Sequence, residues 1–275
     1  MALDAATPAG RAGLAALLAD PRRAIVGLDF DGTLAPIVDD PAQARAHPDA
    51  LPALQALAPL LGRVAVVTGR PAALAVELVG LAGARGLEHV TVLGAYGRER
   101  WDAATGEVQA PPEPPAVAAA RAEVAELLAR TAPDAHLEDK PAAVAVHTRR
   151  SADPEGAFAR LREPVRAVAE AHGLAFEPGR LVLEVRAPGA DKGAALRGLL
   201  EELGGASALV FVGDDLGDLP AFDEVARQRE AGVPGICVCS GSTEVAELAE
   251  RADVVVDGPA GVAAWLQELA AALDR

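Results

Sequence analysis

The sequence predicts an α/β fold in which a mostly parallel sheet carries helices on both faces and a smaller α+β domain is inserted. Short apolar runs of strand length alternate with segments of helical periodicity near both ends of the chain, which is typical of a parallel sheet covered on both sides. The proline-rich segment 111–115 interrupts this alternation. We therefore expect a discontinuous core, residues 1–108 and 188–275, around an inserted domain of residues 109–187.

Each predicted element of the core follows from a local pattern. The apolar runs that we interpret as buried strands are 24–29, 64–67, 90–93, 208–212, 236–238 and 254–256. Residues 51–61 have helical spacing, Pro71 stands at a helix start, where proline is tolerated, and residues 261–273 predict an amphipathic closing helix.

The inserted segment has a pattern of its own. Its predicted elements are a helix at 117–130, a strand at 143–148, a helix at 154–172 and short strands at 174–176 and 181–185. Pro178-Gly179 predicts the turn of a hairpin, and residues 187–190 predict the linker back to the core.

Composition narrows the possible functions. The chain has 275 residues and a formal charge of −15. No cluster of basic residues interrupts this negative charge, so we expect neither a nucleic-acid partner nor a membrane surface. Cys237 and Cys239 lie in one apolar run, which predicts buried, unbridged thiols. No apolar run is long enough to span a bilayer, and no basic leader is present. We expect a cytoplasmic protein, a monomer that acts on a small molecule.

The strongest chemical signal is the segment from Leu28 to Leu34, in which an apolar strand runs into Asp29 and Asp31. Ligands of open parallel sheets bind beyond the carboxyl ends of the strands, so both carboxylates are expected in a site. One can attack a phosphoryl group while its neighbour supplies a proton to the leaving group. Gly32 allows the chain to turn away. The alternative is an ordinary strand-end turn with capping aspartates.

Two further segments could bind phosphate. Thr68 ends the second predicted strand and is followed by Gly69 and Arg70, and its hydroxyl can donate to a phosphate oxygen or cap the next helix. Lys192 opens a predicted helix and could neutralise both phosphate and nucleophile. Its alternative is a solvated surface lysine.

The segment from Gly213 to Asp218 brings Asp214, Asp215 and Asp218 together with no basic residue among them. Like charges in proximity raise the energy unless a cation offsets them. Magnesium prefers few protein carboxylates, together with waters and a substrate phosphate. Asp29 and Asp214 as direct ligands, with the Asp31 carbonyl, would satisfy that preference.

In this order the motifs resemble those of the haloacid dehalogenase-like (HAD) phosphatases, which have a Rossmann-like core. The long stretch between Thr68 and Lys192 leaves room for an inserted cap of the C2 type. Further segments resemble the trehalose-6-phosphate phosphatase family, with matches along almost the whole chain. These segments are 96–99, 138–140, 144–149, 179–186 and 213–222.

The resemblance implies a Mg²⁺-dependent phosphoric monoester hydrolase that acts on trehalose 6-phosphate. Asp29 would form an aspartyl-phosphate, and Asp31 would protonate the sugar oxygen and then activate water. The implied catalytic residues are Asp29, Asp31, Thr68, Lys192 and Asp215. The implied magnesium ligands are Asp29, Asp31, Asp214 and Asp218. The residues expected to contact substrate are Gly32, Thr68, Gly69, Arg70, Glu99, Lys140, His147, Arg149, Glu184 and Lys192.

The chain departs from the family pattern at several positions. Tyr96 stands where the family has His, Thr148 where Tyr is common, and Gly217 and Leu219 where it has Thr and Glu. The alternatives are a broader phosphatase of sucrose phosphate or hexose phosphates, a catalytically silent sugar-phosphate binding protein, and a phosphomutase.

Overall fold

The computed structural model describes residues 3–38, 40–140, 142–241 and 246–274. The chain divides into two compact units, the first formed by Met1–Ala110 and Asp191–Arg275 and the second by Pro111–Ala190. We call the first unit the core and the second the cap. The boundaries predicted from the sequence, after residues 108 and 187, lie two and three residues before these.

The described residues form nine α-helices and twelve strands. The helices are α1 (Pro8–Ala19), α2 (Ala50–Leu57), α3 (Ala72–Val79), α4 (Pro115–Thr131), α5 (Pro154–Ala171), α6 (Lys192–Glu202), α7 (Leu219–Glu230), α8 (Ala246–Arg251) and α9 (Gly258–Leu273). The strands are β1 (Ile25–Leu28), β2 (Arg63–Val67), β3 (Val90–Gly94), β4 (Glu99–Asp102), β5 (Val108–Gln109), β6 (His136–Lys140), β7 (Ala143–His147), β8 (Ala175–Gly179), β9 (Val182–Arg186), β10 (Leu209–Gly213), β11 (Gly235–Ser240) and β12 (Val254–Val256).

The core sheet has the strand order β12-β11-β10-β1-β2-β3-β4-β5. The six strands from β12 to β3 are parallel, and β4 and β5 add antiparallel pairs at one edge. β1 lies inside the sheet and is buried along its whole length, which explains its continuous apolar sequence. A Cβ at Gly27 would lie 2.9 Å from Phe211 and from Leu196, so glycine allows the close packing of α6 on the sheet.

Helices cover both faces of the core sheet, which confirms the predicted fold class. Successive residues of a strand point to opposite faces: Val26 and Leu28 of β1 pack in one apolar cluster, and Ile25 packs in the other. The first cluster includes side chains from α1, α2, α3 and α9, and the second includes side chains from α6, α7 and α8. Cys237 and Cys239 are buried, free thiols in the second cluster, and burial raises the pKa of Cys237 to about 12.

The cap is a four-stranded antiparallel sheet in the order β6-β7-β9-β8, with α4 and α5 packed on one face. The structure corrects the predicted hairpin turn. Gly179 still belongs to β8 and pairs with Val182, so the turn is Arg180-Leu181, and Leu181 adopts φ +59°. β6 was not predicted because its sequence is polar; it lies at the sheet edge and is largely accessible.

No helix in the described part of the chain combines the length and the apolar character that crossing a bilayer requires.

Candidate active site

Three neighbouring core strands end in polar residues at one edge of the sheet. β1 is followed by Asp29, β2 by Thr68 and β10 by Asp214. Leu28 pairs in register with Val212, and the Asp29 N–H donates to the Val212 carbonyl at 2.9 Å. The parallel register therefore brings the residues that follow these strands to the same edge, where ligands of open α/β sheets bind.

A buried lysine lies between two carboxylates at this edge. Lys192 begins α6, where the Asp191 side chain accepts a hydrogen bond from the Ala194 N–H at 2.7 Å and caps the helix. The Lys192 Nζ lies 2.7 Å from Oδ1 of Asp29 and 2.7 Å from Oδ1 of Asp218. Lys192 is 6% exposed and Asp29 is 4% exposed. A charge this deeply buried needs a paired opposite charge, so the surface-lysine alternative does not hold.

Both carboxylate oxygens of Asp218 accept hydrogen bonds within the core. Its Oδ1 accepts from Lys192, and its Oδ2 accepts from the backbone N–H of Asp214 at 2.8 Å and of Asp215 at 3.2 Å. Asp218 is completely buried, whereas Asp215 is exposed. This carboxylate therefore fixes the backbone of the acidic loop and the position of the lysine at once.

Burial and mutual repulsion disturb the ionisation of this cluster. Burial, followed by the charges of Asp218 and Asp215, raises the pKa of Asp214 to about 8. Burial likewise raises the pKa of Asp29 well above its usual value, although Lys192 opposes the shift. Burial alone would lower the pKa of the Lys192 ammonium, but Asp218 and Asp29 more than offset this and raise it. The carboxylates therefore ionise readily only with more positive charge than Lys192 supplies.

The acidic cluster fits a divalent cation. Asp29, Asp214 and Asp218 each offer a carboxylate oxygen, and these oxygens lie within 4.8 Å of one another. Oδ1 of Asp214 is buried and has no hydrogen-bond partner among the described residues. A buried carboxylate oxygen without a partner is unfavourable. Hard cations such as Mg²⁺ take oxygen ligands of this kind.

The turn after β1 packs directly on this cluster. Gly32 adopts φ +75°, and a Cβ at this position would overlap the carboxylate of Asp214. The Gly32 carbonyl accepts a hydrogen bond at 2.7 Å from the buried Ser240 hydroxyl, at the end of β11. Glycine is required at position 32 both by this backbone angle and by the close approach of Asp214. The hydroxyl of the next residue, Thr33, is buried and has no partner among the residues that the structure describes.

The Asp31 carboxylate is bound to Arg70. Its two oxygens accept from Nε and Nη2 of Arg70, each at 2.7 Å. The Arg70 guanidinium also lies over the Phe30 ring, 5.3 Å from the ring centroid, and its Nη1 donates to the Pro41 carbonyl at 2.8 Å. The structure thus brings two predicted site residues together. The Arg70 side chain, which was expected to contact substrate, forms an ion pair with Asp31.

Thr68 and Gly69 form the next part of this edge. The Thr68 hydroxyl is buried and accepts from the Arg70 N–H at 3.1 Å within the loop. The helix-capping alternative is wrong, because α3 begins at Ala72 and its N-cap residue is Pro71, with no side-chain capping bond. A Cβ at Gly69 would lie 2.8 Å from the hydroxyl oxygen of Tyr96. Tyr96 itself adopts φ +57°, and its N–H donates to the Thr68 carbonyl at 3.0 Å. The tyrosine that departs from the family pattern therefore packs against the Thr68-Gly69 backbone.

Glu99 has a structural contact in the core. It is buried, and its Oε2 accepts from the Ala72 N–H at 2.7 Å, at the first residue of α3. A carboxylate at a helix N-terminus is stabilised by the unpaired N–H groups and the helix dipole. A contact between Glu99 and a sugar stays a prediction.

The predicted cap residues share the polar face of the cap sheet. Lys140 Nζ lies 2.5 Å from Oε2 of Glu184 and 3.7 Å from Glu138, and Nε2 of His147 lies 2.7 Å from the same Glu138 oxygen. Alternation along the strands places these side chains opposite the apolar face that packs on α4 and α5. Arg149 lies beyond the end of β7 and is exposed.

Two residues, one in the core and one in the cap, were not predicted from the sequence. Ser240 orders the turn through Gly32, and the general rule that polar residues at strand ends line sites could have identified it. Glu138 links Lys140 and His147 in the cap; the sequence placed it in a family-like segment but assigned it no role.

The fold is shared with solved structures. The C-terminal domain of trehalose-6-phosphate phosphatase from C. albicans superposes with a TM-score of 0.75 at 20% identity, covering 98% of this chain and 99% of that one. A haloacid dehalogenase-like hydrolase from Bacteroides thetaiotaomicron gives a TM-score of 0.62 at 17% identity, covering 88% of this chain and 98% of that one.

Sequence comparison gives closer relatives. The trehalose-phosphate phosphatase of Mycobacterium tuberculosis (strain H37Rv) is 36% identical over 261 residues, which cover 90% of this chain and 62% of the relative. That of Mycobacterium avium (strain 104) is 35% identical over 265 residues, 92% of this chain and 64% of the relative. The chain thus spans somewhat less than two thirds of the length of these relatives. The profile described as Trehalose-phosphatase matches residues 27–255, and the chain belongs to this trehalose-phosphatase family.

Proposed function

We propose that the chain hydrolyses trehalose 6-phosphate to trehalose and phosphate, as a Mg²⁺-dependent phosphoric monoester hydrolase. The observation that carries the proposal is the buried Lys192, 2.7 Å from Asp29 and from Asp218, beside the unpartnered oxygen of Asp214. A structural ion pair needs no third buried carboxylate, but a site for a dianionic ester and a cation does. The mycobacterial relatives, which are trehalose-phosphate phosphatases, support the choice of substrate.

In the first step of the proposed reaction an oxygen of Asp29 attacks phosphorus, and the bond from phosphorus to the sugar oxygen breaks. The electron pair stays on the sugar oxygen, which takes a proton from the Asp31 carboxyl, and trehalose leaves. In the second step water attacks the aspartyl-phosphate and gives a proton to Asp31, and the bond from phosphorus to Asp29 breaks. Asp29 and the proton on Asp31 are thereby restored.

The other residues orient the reactants. Lys192 holds Asp29 and offsets charge on the transferred phosphoryl group, and Asp218 fixes Lys192. The Thr68 hydroxyl, at the adjacent strand end, can donate to a phosphoryl oxygen. Mg²⁺ would be held by Asp29, Asp214 and, as predicted from the sequence, the Asp31 carbonyl, and it supplies charge stabilisation on the phosphoryl oxygens. Because both Asp218 oxygens accept hydrogen bonds within the core, we assign it a supporting position.

The cap face is suited to a polyhydroxylated substrate. Lys140, Glu184, Glu138 and His147 form a connected row of donors and acceptors. Charged donors and acceptors make the stronger hydrogen bonds to hydroxyl groups. We infer that Lys140, His147, Glu184 and the exposed Arg149 contact the sugar, as the family resemblance implies.

A substrate panel tests the proposed specificity. Values of kcat/KM measured with trehalose 6-phosphate, sucrose 6-phosphate and glucose 6-phosphate should be highest for the first. We expect a factor of about tenfold or more over glucose 6-phosphate, because a site that hydrogen-bonds the hydroxyls of a second sugar discriminates against an ester that lacks them. Sucrose 6-phosphate has a second sugar whose hydroxyls are placed differently, so it tests the fit to the disaccharide. Equal values for glucose 6-phosphate would replace the disaccharide assignment by that of a general sugar-phosphate phosphatase.

The variant Asp29→Asn tests the proposed chemistry. It keeps the size of the side chain but removes the nucleophile, so phosphate release should fall below detection while the circular dichroism spectrum is preserved. Arg22→Lys is the matched control, since Arg22 is an exposed residue whose guanidinium contacts the Pro59 carbonyl away from the strand ends. Phosphate release by Asp29→Asn at the rate of the control would refute the mechanism.

A further inference from the structure

Arg70 and Asp31 form a bidentate ion pair in the core. The guanidinium meets the carboxylate through two hydrogen bonds of 2.7 Å, the parallel fork geometry that arginine forms with carboxylates. The Arg70 side chain is 13% exposed and that of Asp31 is 43% exposed. The Arg70 side chain is therefore mostly buried, whereas the Asp31 carboxylate is accessible to solvent or ligand.

Arg70 is fixed independently of Asp31. Its N–H donates to the Thr68 hydroxyl at 3.1 Å, and its carbonyl accepts from the Ala95 N–H at 2.8 Å. Its guanidinium lies over the ring of Phe30, the residue directly before Asp31, and donates to Pro41. Backbone, stacking and a carbonyl contact thus set the plane of the guanidinium, and that plane sets the orientation of the Asp31 carboxyl.

This arrangement differs from a phosphate contact. An arginine that binds the transferred phosphate would direct the N–H groups of its guanidinium towards the phosphate position beside Asp29 and Lys192. Here the fork, Nε and Nη2, faces the Asp31 oxygens, and the charge beside Asp29 is supplied by Lys192.

We propose that Arg70 is a positioning residue for Asp31 rather than a phosphate ligand, an inference that rests on the proposed function. When Asp31 is ionised, both oxygens accept from Arg70. When Asp31 carries its proton, one oxygen still accepts from Arg70 while the other presents O–H to the leaving sugar oxygen. The proton then passes to that oxygen as its bond to phosphorus breaks. Arg70 thereby keeps the carboxyl in place through both halves of the reaction.

The leaving group distinguishes the two roles of Arg70. A sugar alkoxide needs a proton as it leaves, whereas p-nitrophenolate leaves without one, so only the sugar ester depends on a well-placed acid. The ratio kcat/KM covers the steps up to release of the alcohol and excludes hydrolysis of the aspartyl-phosphate. Loss of a phosphate ligand would lower kcat/KM for both esters alike, because both carry the same phosphoryl group.

The experiment compares Arg70→Lys and Arg70→Gln with wild type, on trehalose 6-phosphate and on p-nitrophenyl phosphate. A lysine cannot reproduce the arginine fork, so we expect kcat/KM for the sugar ester to fall about tenfold or more, and by a clearly larger factor than for the aryl ester. Inhibition by inorganic phosphate should keep its wild-type constant within about threefold. Glutamine serves as a second variant if lysine lowers the melting temperature.

Two controls separate this inference from the proposed function. Asp31→Asn should show the same preference for the aryl ester, with a loss on the sugar ester of about 10²–10⁴-fold. Arg63→Lys should leave both esters at wild-type rates, because Arg63 begins β2, at the end of that strand far from Thr68 and Arg70, and contacts Thr91. If Asp31→Asn discriminates but the Arg70 variants lose both esters equally and bind phosphate more weakly, Arg70 is a phosphate ligand and the inference is wrong. Equal losses in Asp31→Asn itself would refute the acid role and this inference with it.

Discussion

At the residue scale, the site depends on a lysine buried among carboxylates. Lys192 is placed by the start of α6 between Asp29 and Asp218, and these contacts outweigh its burial. Breaking a buried ion pair from one side leaves the remaining charge without compensation. The same contacts that orient Asp29, the proposed nucleophile, therefore also stabilise the fold.

Lys192→Met should be both inactive and less stable, by about 3–5 kcal/mol in the free energy of unfolding. This loss of unfolding free energy, relative to wild type, should be larger at pH 8 than at pH 5. The pKa of Asp29 and that of Asp218 are raised in the folded protein, and a carboxyl of this kind contributes stability at low pH that is lost as the pH rises through its folded value. Urea titrations at the two pH values measure this. An equal deficit at both would show that the carboxylates do not depend on Lys192.

At the element scale, the turn between β1 and the following segment closes the acidic cluster. Gly32 combines a positive φ with direct contact to Asp214, and Ser240 at the end of β11 anchors its carbonyl. Three strands thus contribute to one turn, which places Asp214 next to Asp29.

Gly32→Ala should lose activity through displacement of Asp214, beyond the strain of an alanine at positive φ. Gly106→Ala is the matched control, since Gly106 adopts φ +71° and no atom lies within 4 Å of its Cβ position. Both variants should share a backbone cost of about 1–2 kcal/mol. Only Gly32→Ala should lower kcat/KM, by about 10²-fold or more, as expected when reacting groups are misplaced. Equal activities of the two variants would contradict the proposed role of this contact.

Elements with continuous apolar sequences could be predicted, and those with polar sequences could not. β1, β2, β3 and β10 are buried on both faces, and their apolar runs identified them. β4, β5 and β6 lie towards sheet edges, and polar residues interrupt their apolar pattern. These three strands were therefore not predicted. The turn at Arg180-Leu181 was placed two residues early because proline and glycine favour turns, whereas the register pairs Gly179 with Val182.

The candidate site could be predicted in part for the same reason. Asp29, Thr68 and Asp214 follow core strands, and parallel pairing brings such positions together. The contact between Arg70 and Asp31 was not predicted, since it joins side chains 39 residues apart and depends on rotamers. The capping contact of Glu99 with α3 depends in the same way on the position of β4.

At the scale of the whole molecule, an acidic protein holds further negative charge in its interior. The formal charge is −15, and three buried carboxylates offer oxygens within 4.8 Å of one another. Ionising them lowers stability unless a cation binds. The proposed Mg²⁺ would bind the ionised form, so its binding should be linked to both pH and folding.

In the presence of a chelator, the melting temperature should fall as the pH rises from about 5 to 8, because Asp214 has a pKa of about 8 in the folded protein, above its usual value. Mg²⁺ should raise the melting temperature more at pH 8 than at pH 5. Asp214→Asn removes this titrating group, so both effects should be smaller in that variant. A Mg²⁺ effect of the same size in wild type and Asp214→Asn would exclude Asp214 as a ligand.

The central claim is that Asp29 receives the phosphoryl group, and a rapid acid quench tests it most directly. The protein is mixed with trehalose 6-phosphate and Mg²⁺, quenched in acid over a time course within the first turnover, digested with pepsin at low pH, at which an acyl phosphate survives, and analysed by mass spectrometry. We expect phosphate on the peptide that contains Asp29, and none in Asp29→Asn. Release of trehalose with no phosphate on that peptide, or with phosphate on a different peptide, would contradict it.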